Sequence, residues 1–257
     1  MGAVGAASAD LAPYFEGLKG TFVLYDARAG TYTRFNAGRA AERFSPCSTY
    51  KIPNSLIAVE TGVASGAEFA ISYDAKRDPR QADWPEEWAH DQTLRSAFRY
   101  SVVWFYQEMA RRVGAERMGR YVKQFGYGNQ DIAGGIDRFW LSSSLQISAE
   151  EQVAFLQRFH DGRLRLSPHT MEVVKDIMVA DQGPGWVLRA KTGACRGDLP
   201  EGVVWYVGWV EKGDDTFYFA LNLGGPDLSK LTLLRVAKAR EILAALGVLG
   251  GSGDGKR

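Results

Sequence analysis

Ser48 stands three residues before Lys51, inside the stretch Ser45–Leu56. At helical spacing a hydroxyl and an amine three residues apart lie on one face, one turn apart, and can touch. A serine hydroxyl is a weak nucleophile until a neighbouring base takes its proton, and a helix N-terminus favours the negative charge that then develops. The pair therefore offers acyl-transfer chemistry. Taken alone, Ser-x-x-Lys arises by chance in many proteins, so its meaning depends on partners elsewhere. Three further elements fall near expected element ends: Ser101-Val102-Val103 opens a helix, Lys191-Thr192-Gly193 ends a strand, and Tyr127-Gly128-Asn129 makes a turn between them. Each has a plainer reading, respectively a helix N-cap, a solvated strand-end charge and a mere turn. Chance explains the four poorly when they occur together, in this order and on these elements.

Those elements follow from periodicity. Thr21–Tyr25 and Thr31–Phe35 are rich in aromatic and β-branched residues and read as a hairpin turning at Asp26–Gly30. A helix is expected from about Pro46 to Glu60, with Gly62 at its C-terminus and Pro53 bending it or re-setting its first turns. Asp74–Asp91 reads as an ordered surface loop. Helical spacing resumes from Ser101 (Val102, Phe105, Tyr106, Met109, Val113) and again at Met118, Tyr121, Val122 and Phe125. Ser148 with Glu151 forms a capping box, and Ser167-Pro168 an N-cap with proline at the first helical position. After Gly185 the period falls to two: Trp186–Lys191, Val203–Glu211 and Thr216–Leu223 read as strands. A last helix carries Val236, Ala239, Leu243 and Leu246, ends at Gly247, and holds Arg235 in its first turn. The expectation is an α/β fold in the α+β sense: a five-stranded antiparallel sheet, completed by the N-terminal hairpin, flanked by terminal helices and interrupted by an inserted all-helical lobe. The whole chain, 1–257, would be one domain, with a sheet lobe at about 14–45 and 185–249 and a helical lobe at about 46–184. Ser48 then sits where the chain enters the helical lobe and Lys191 where it returns to the sheet, which places the site in the cleft between lobes.

The bulk numbers exclude several functions. Of 257 residues, 46% are hydrophobic and 24% charged, as in an ordinary globular protein with a real core. Lys plus Arg is 31 against 30 for Asp plus Glu, so no basic excess argues for nucleic acid or an anionic membrane surface. No apolar run approaches the roughly 20 residues that cross a bilayer. The start lacks the basic residues of a signal peptide, and the Gly-rich end, 250–257, reads as a flexible tail. His90, His160 and His169 show no metal-ligand spacing, so no metal is expected. Two cysteines, Cys47 and Cys195, are too few for a disulfide scaffold; their number leaves one bridge open, and the expectation is two reduced thiols flanking the cleft.

Ser-x-x-Lys, a second serine and Lys-Thr-Gly in this order resemble the active-site set of penicillin-recognising serine enzymes. The version here is similar to class D, the oxacillinase type. Ser101-Val102-Val103 stands where class A carries Ser-Asp-Asn, Tyr127-Gly128-Asn129 matches the class D turn, and Phe139–Ser148 resembles the class D loop that bears a tryptophan, here Trp140. Tyr206–Trp209 resembles the strand after Lys-Thr-Gly, and Arg235 matches the arginine that binds the substrate carboxylate. The likeness runs from about residue 20 to 248. Two departures stand out. Tyr50 replaces the phenylalanine commoner at this place, and Ala194-Cys195-Arg196-Gly197 follows Lys-Thr-Gly where relatives vary.

The resemblance implies a β-lactamase/transpeptidase-like fold and hydrolysis of β-lactams through a Ser48 acyl-enzyme. It implies that Lys51, neutral among Val103, Trp140 and Leu141, reacts with carbon dioxide to give N6-carboxylysine. That group would be the general base of acylation and deacylation, held by the Trp140 indole N–H. It accounts for the absence of a Glu-x-x-Leu-Asn motif. Bicarbonate is then needed, but no other cofactor. Ser101 would return the proton to the leaving nitrogen with help from Lys191. The N–H groups of Ser48 and Ala194 would form the oxyanion hole, and Thr192, Gly193, Ala194 and Arg235 would bind substrate. The expected partner is a small β-lactam, the expected state monomer or homodimer, and the compartment periplasmic or extracellular by the family's habit. The strongest rival is a β-lactam sensor domain, closely similar to class D, that is acylated once without turnover. The lack of a membrane segment favours the free hydrolase. A DD-peptidase is the weaker rival, disfavoured by Ser101-Val102-Val103 and the Trp140 loop.

Overall fold

The computed structural model describes residues 10–82, 84–141, 144–195 and 201–250. Its first hairpin joins β1 (Lys19–Asp26) and β2 (Thr31–Phe35), followed by the short α1 (Ala37–Ala41). A helical stretch comes next: α2 (Lys51–Glu60), a two-residue ladder of β3 (Ala70–Ile71) and β4 (Gln92–Thr93), then α3 (Leu94–Tyr100), α4 (Val103–Val113), α5 (Ala115–Phe125), α6 (Ala149–His160) and α7 (Pro168–Ile177). The chain returns through β5 (Val179–Gly183), β6 (Trp186–Cys195), β7 (Gly202–Lys212) and β8 (Asp215–Gly225) and closes with α8 (Leu228–Ala245).

Alternating side chains build two cores. Val203, Trp205, Val207 and Trp209 of β7 face the helical layers, while Val204, Tyr206 and Val210 face α8. The strands run antiparallel in the order β2-β1-β8-β7-β6-β5, so the N-terminal hairpin does complete the C-terminal sheet, with Phe22 opposite Leu221. The expected helix starts hold. The Ser148 hydroxyl accepts from the Glu151 N–H while the Glu151 carboxylate accepts from the Ser148 N–H, and Ser167 caps a helix with Pro168 first.

Five expectations are corrected. Among the described residues the main sheet has six strands, not five. The sixth, β5, is a polar, largely exposed edge strand with no period-two signal, held by main-chain pairing to β6. Helix does not begin at Pro46: Cys47–Tyr50 form a tight 3₁₀ turn and α2 starts at Lys51. Ser101 does not open a helix; it caps the end of α3 in the left-handed conformation (φ 61°), and Val103 is the first residue of α4. Lys191 lies inside β6, which continues to Cys195. Arg235 lies in the middle of α8, which starts earlier than its apolar face suggests because Asp227 caps it at the Lys230 N–H. The described residues of 74–91 gather around Trp84 and Trp88, whose rings lie 5.5 Å apart. The expected tail falls outside the described residues apart from Gly250.

Candidate active site

The residues Lys51 to Val59 are buried on every side of α2, so this helix runs through the middle of the helical core. Its first residue, Lys51, is fully buried, whereas Ser48 in the preceding turn is only half-buried and faces the cleft. The Lys51 Nζ donates to Ser48 Oγ at 2.9 Å and lies 5.2 Å from the centre of the Tyr106 ring. Burial first, and the nearby Lys191 second, hold the Lys51 amine well below the ordinary lysine range. A neutral amine beside a hydroxyl is the arrangement that can accept a proton.

Lys191 reaches the same cleft from the sheet. Its Nζ donates to Ser101 Oγ at 3.0 Å and lies 3.4 Å from Thr192 Oγ1, over the Phe98 ring. It is depressed to about 7, by burial and then by the charge of Arg235. The left-handed backbone at Ser101 turns its hydroxyl toward Lys191 at the junction of α3 and α4. Thr192 and Ala194 are half-buried beside it. The Arg235 guanidinium has Nε and Nη1 buried with no hydrogen-bond partner among the described residues, two donors free for an acceptor from outside. A groove of about 620 Å³ runs from Lys191 and Thr192 past Phe98 and Arg99 to Val179 and Val236. It takes in the lysine end of the cleft and not Ser48.

The outer edge of β6 explains how the two halves meet. Pairing with β5 ends at Arg189, and the Ala190 N–H donates to Met178 O at 2.9 Å. Beyond that point the edge lies against the Cys47–Tyr50 turn. A Cβ at Gly193 would come 3.0 Å from Pro46 O and 3.1 Å from Thr49 Cγ2, so a larger residue there would have to push the turn back by a few tenths of an ångström. The turn is further held by Gln152 Nε2 donating to Thr49 Oγ1 at 2.8 Å. Sulfur chemistry completes the contact. Cys47 and Cys195 are joined in a disulfide, with Cα atoms 5.7 Å apart, which corrects the expectation of two reduced thiols. Both cysteines were placed at the cleft from sequence, but the distance between them was not legible there.

Trp140 is fully buried, and its indole N–H has no partner among the described residues. Its ring stacks on Tyr50 at 5.5 Å, and its carbonyl accepts from Ser45 Oγ at 2.9 Å, which ties it to the nucleophile turn. The Tyr127-Gly128-Asn129 turn positions this loop. The Asn129 N–H donates to Gln146 O at 2.9 Å and its Nδ2 to Ser144 O at 2.7 Å, and a Cβ at Gly128 (φ 54°) would overlap the Gln146 carbonyl. The extra phenol of Tyr50 finds the Met118 sulfur at 3.1 Å, the only acceptor its buried pocket supplies among the described residues. Val103 and Leu141 are half-buried, Val103 heading α4 and Leu141 packed on the helical core. Sequence reasoning placed Tyr106 on a core face without its position under the Lys51 amine; nothing in its spacing signals that role.

The penicillin binding protein transpeptidase domain matches residues 20–244. β-Lactamase OXA-19 of Pseudomonas aeruginosa is 39% identical over 238 residues, covering 92% of this chain and 87% of that one. Among solved structures, the class D β-lactamase YbXI from Nostoc superposes with a TM-score of 0.88 at 40% identity, covering 93% of this chain and 99% of that one. Regulatory protein BlaR1 of Bacillus licheniformis is 36% identical over 80% of this chain and 33% of its own length. The match across most of the sequence, the shared fold and the two lysines set against two serines in one cleft lead to the same place: the chain belongs to the class D β-lactamases, within the penicillin-binding transpeptidase-domain family.

Proposed function

We propose that this protein hydrolyses β-lactams through a Ser48 acyl-enzyme, with Lys51 as its N-carboxylated general base. The observation that carries this reading is the fully buried Lys51 amine, 2.9 Å from Ser48 Oγ, in a cleft where the buried Trp140 indole N–H has no partner. Reaction of the neutral amine with carbon dioxide forms an N–C bond and releases one proton. The new carboxylate is an acceptor, and the unpaired Trp140 donor is its match. Lys51 so modified takes the proton of Ser48 as the hydroxyl attacks the lactam carbonyl, and later takes a proton from water to release the acyl group. Half-buried Val103 and Leu141 are the apolar surroundings this modification calls for. No metal enters the scheme.

The N–H groups of Ser48 and Ala194, on the facing turn and strand edge, are the donors for the developing oxyanion. Ser101, 3.0 Å from Lys191, returns the proton to the leaving nitrogen. Thr192, Gly193 and Arg235 hold the substrate carboxylate, Arg235 through its unpaired donors. No helix among the described residues is long and apolar enough to cross a membrane. The disulfide supports an oxidising setting, periplasmic or extracellular.

Nitrocefin turnover with and without bicarbonate tests the reading. Sustained hydrolysis that falls on bicarbonate removal at mildly acidic pH and recovers on its return is expected, and indifference to bicarbonate would sink the modified lysine. The likeness to BlaR1 and to the C-terminal domain of the BlaR penicillin-receptor (TM-score 0.87) favours a second reading, acylation without turnover. A single stoichiometric burst with no steady state would establish it.

A further inference from the structure

Cys47 immediately precedes Ser48, and Cys195 immediately follows Ala194. The disulfide between them crosses from the nucleophile turn to the edge of β6, bridging chain positions 148 apart. The two donors that would grip the oxyanion are therefore each one residue away from the same covalent bond. Cys47 has a left-handed backbone (φ 51°), uncommon for any residue but glycine. The turn between the two Cys47-flanking peptides is thereby aimed by a conformation that its own residue type disfavours. Other contacts anchor the turn to the helical side and to β7, through Ser45 to Trp140 and Trp205, Thr49 to Gln152 and Tyr50 to Trp140 and Met118, whereas at the edge of β6 the disulfide is joined only by the van der Waals approach of Gly193 to Pro46 and Thr49 among the described contacts.

From this geometry we infer that Cys47–Cys195 is a positioning device for the reaction, fixing the spacing of the Ser48 and Ala194 N–H groups that define the oxyanion hole. The inference rests on the acyl-enzyme reading. Such a clamp acts on acylation and on the polarisation of the acyl carbonyl, and leaves substrate docking at Thr192 and Arg235 nearly unchanged. Loss of one oxyanion donor costs about 100- to 1,000-fold in other hydrolases, and a misplacement near 1 Å can cost about 100-fold. Freeing both donors without removing them is expected to slow acylation by about 10- to 100-fold on the same grounds.

The test compares four proteins: the oxidised chain, the phosphine-reduced chain, the Cys47→Ala/Cys195→Ala variant, and a chain whose two thiolates are alkylated by diiodomethane. That last reaction inserts one methylene between the sulfurs, forming two S–C bonds and releasing two iodides. Stopped-flow acylation by benzylpenicillin gives the rate and the dissociation constant of the first complex. The infrared stretch of a ¹³C-labelled ester carbonyl, recorded by rapid mixing before the acyl group is released, reports polarisation in the hole.

Reduced and alanine proteins are expected to acylate slowly with an unchanged dissociation constant and a carbonyl band moved to higher frequency. The methylene-bridged chain keeps the cross-link and its stability, yet should show the same changes in weaker form. It also decides the matter if the uncrosslinked chains unfold. Oxidised-level acylation and an unmoved band in the folded reduced protein, or in the methylene-bridged protein, would overturn the inference. Failure of the oxidised chain itself to form an acyl-enzyme would instead strike at the proposed reaction.

Discussion

Replacing Trp140 with phenylalanine removes one N–H and keeps most of a ring that stacks on Tyr50 at 5.5 Å and 22° between planes. In the unmodified protein that N–H is buried and unpaired, so its deletion removes a desolvation cost of about 1–3 kcal/mol. In the modified protein it would donate to a carboxylate, an interaction of about 1.5–3 kcal/mol. Both effects pull the same way. The bond to the carboxylate alone should shift the equilibrium between bare and carboxylated Lys51 toward the bare amine by about one to two factors of ten, at 1.4 kcal/mol each, and the relieved desolvation cost adds to that. The assay is nitrocefin turnover titrated with bicarbonate at fixed pH. The Trp140→Phe curve should have its midpoint at no less than about 10- to 100-fold higher bicarbonate, with much of the rate restored at saturation. A general loss of packing would lower the plateau without moving the midpoint, since the smaller ring leaves a cavity but touches no acceptor. An unmoved midpoint would therefore refute the role given to the indole, whatever happens to the plateau.

Two further outcomes follow from the charges of the cleft. Lys191 sits at about 7 in the folded protein, so between there and the ordinary lysine value of about 10.4 the unfolded chain binds a proton that the native state has released. Stability should rise with pH across that window, by on the order of 5 kcal/mol at most, and level off below it. Lys51 acts in the same sense, so urea unfolding of Lys191→Met should lose part of the slope; an equal slope in both proteins counts against the depressed lysine. Arg235→Ala should raise KM by about 10- to 100-fold with a smaller change in kcat, because a charge-assisted bond to the substrate carboxylate is lost. Its melting temperature should not fall, since Nε and Nη1 have no partner to lose; an unchanged KM would remove the arginine from the site.

The strands of strong alternation and the helices opened by Ser148 and Ser167 were legible because local physics and the fold agree there. β5 was not, since its pairing is purely main-chain and its side chains face solvent. The strand through Lys191 was cut short in the sequence reading because Thr192-Gly193-Ala194 carries little strand signal. There the glycine serves the approach of the nucleophile turn. Ser101 was expected at a helix start for its capping chemistry, whereas the structure uses it as a left-handed stop between two helices. The chemistry-bearing residues were legible as a set through spacing and resemblance, even where the element under them was misjudged. The disulfide was not, because a separation of 148 residues gives no distance, and two cysteines alone leave both redox states open.

The polar groups without partners show why this cleft reads as a binding site. Near the far end of the sheet, charge is half-buried but satisfied: Glu211 receives His160, Arg189 and the Trp209 indole, and is held down to about 2 by those donors, His160 first. Arg39 and Asn222 leave one atom each unpaired but bond to one another. At the cleft the pattern reverses. Among the described residues the Trp140 indole has no acceptor, two Arg235 nitrogens have none, and the two buried lysines bond to serine and threonine oxygens and no carboxylate. Each of these is a cost to folding that a stability-driven sequence would remove. All of them are donors or cations, and they lie on both sides of Ser48 and Ser101. A site with this sign suits anions on two sides: under the proposed mechanism, one on Lys51 that would meet the Trp140 donor and one on a substrate reaching Thr192 and Arg235. The described residues supply neither anion, and the uncompensated cleft is consistent with both arriving from outside.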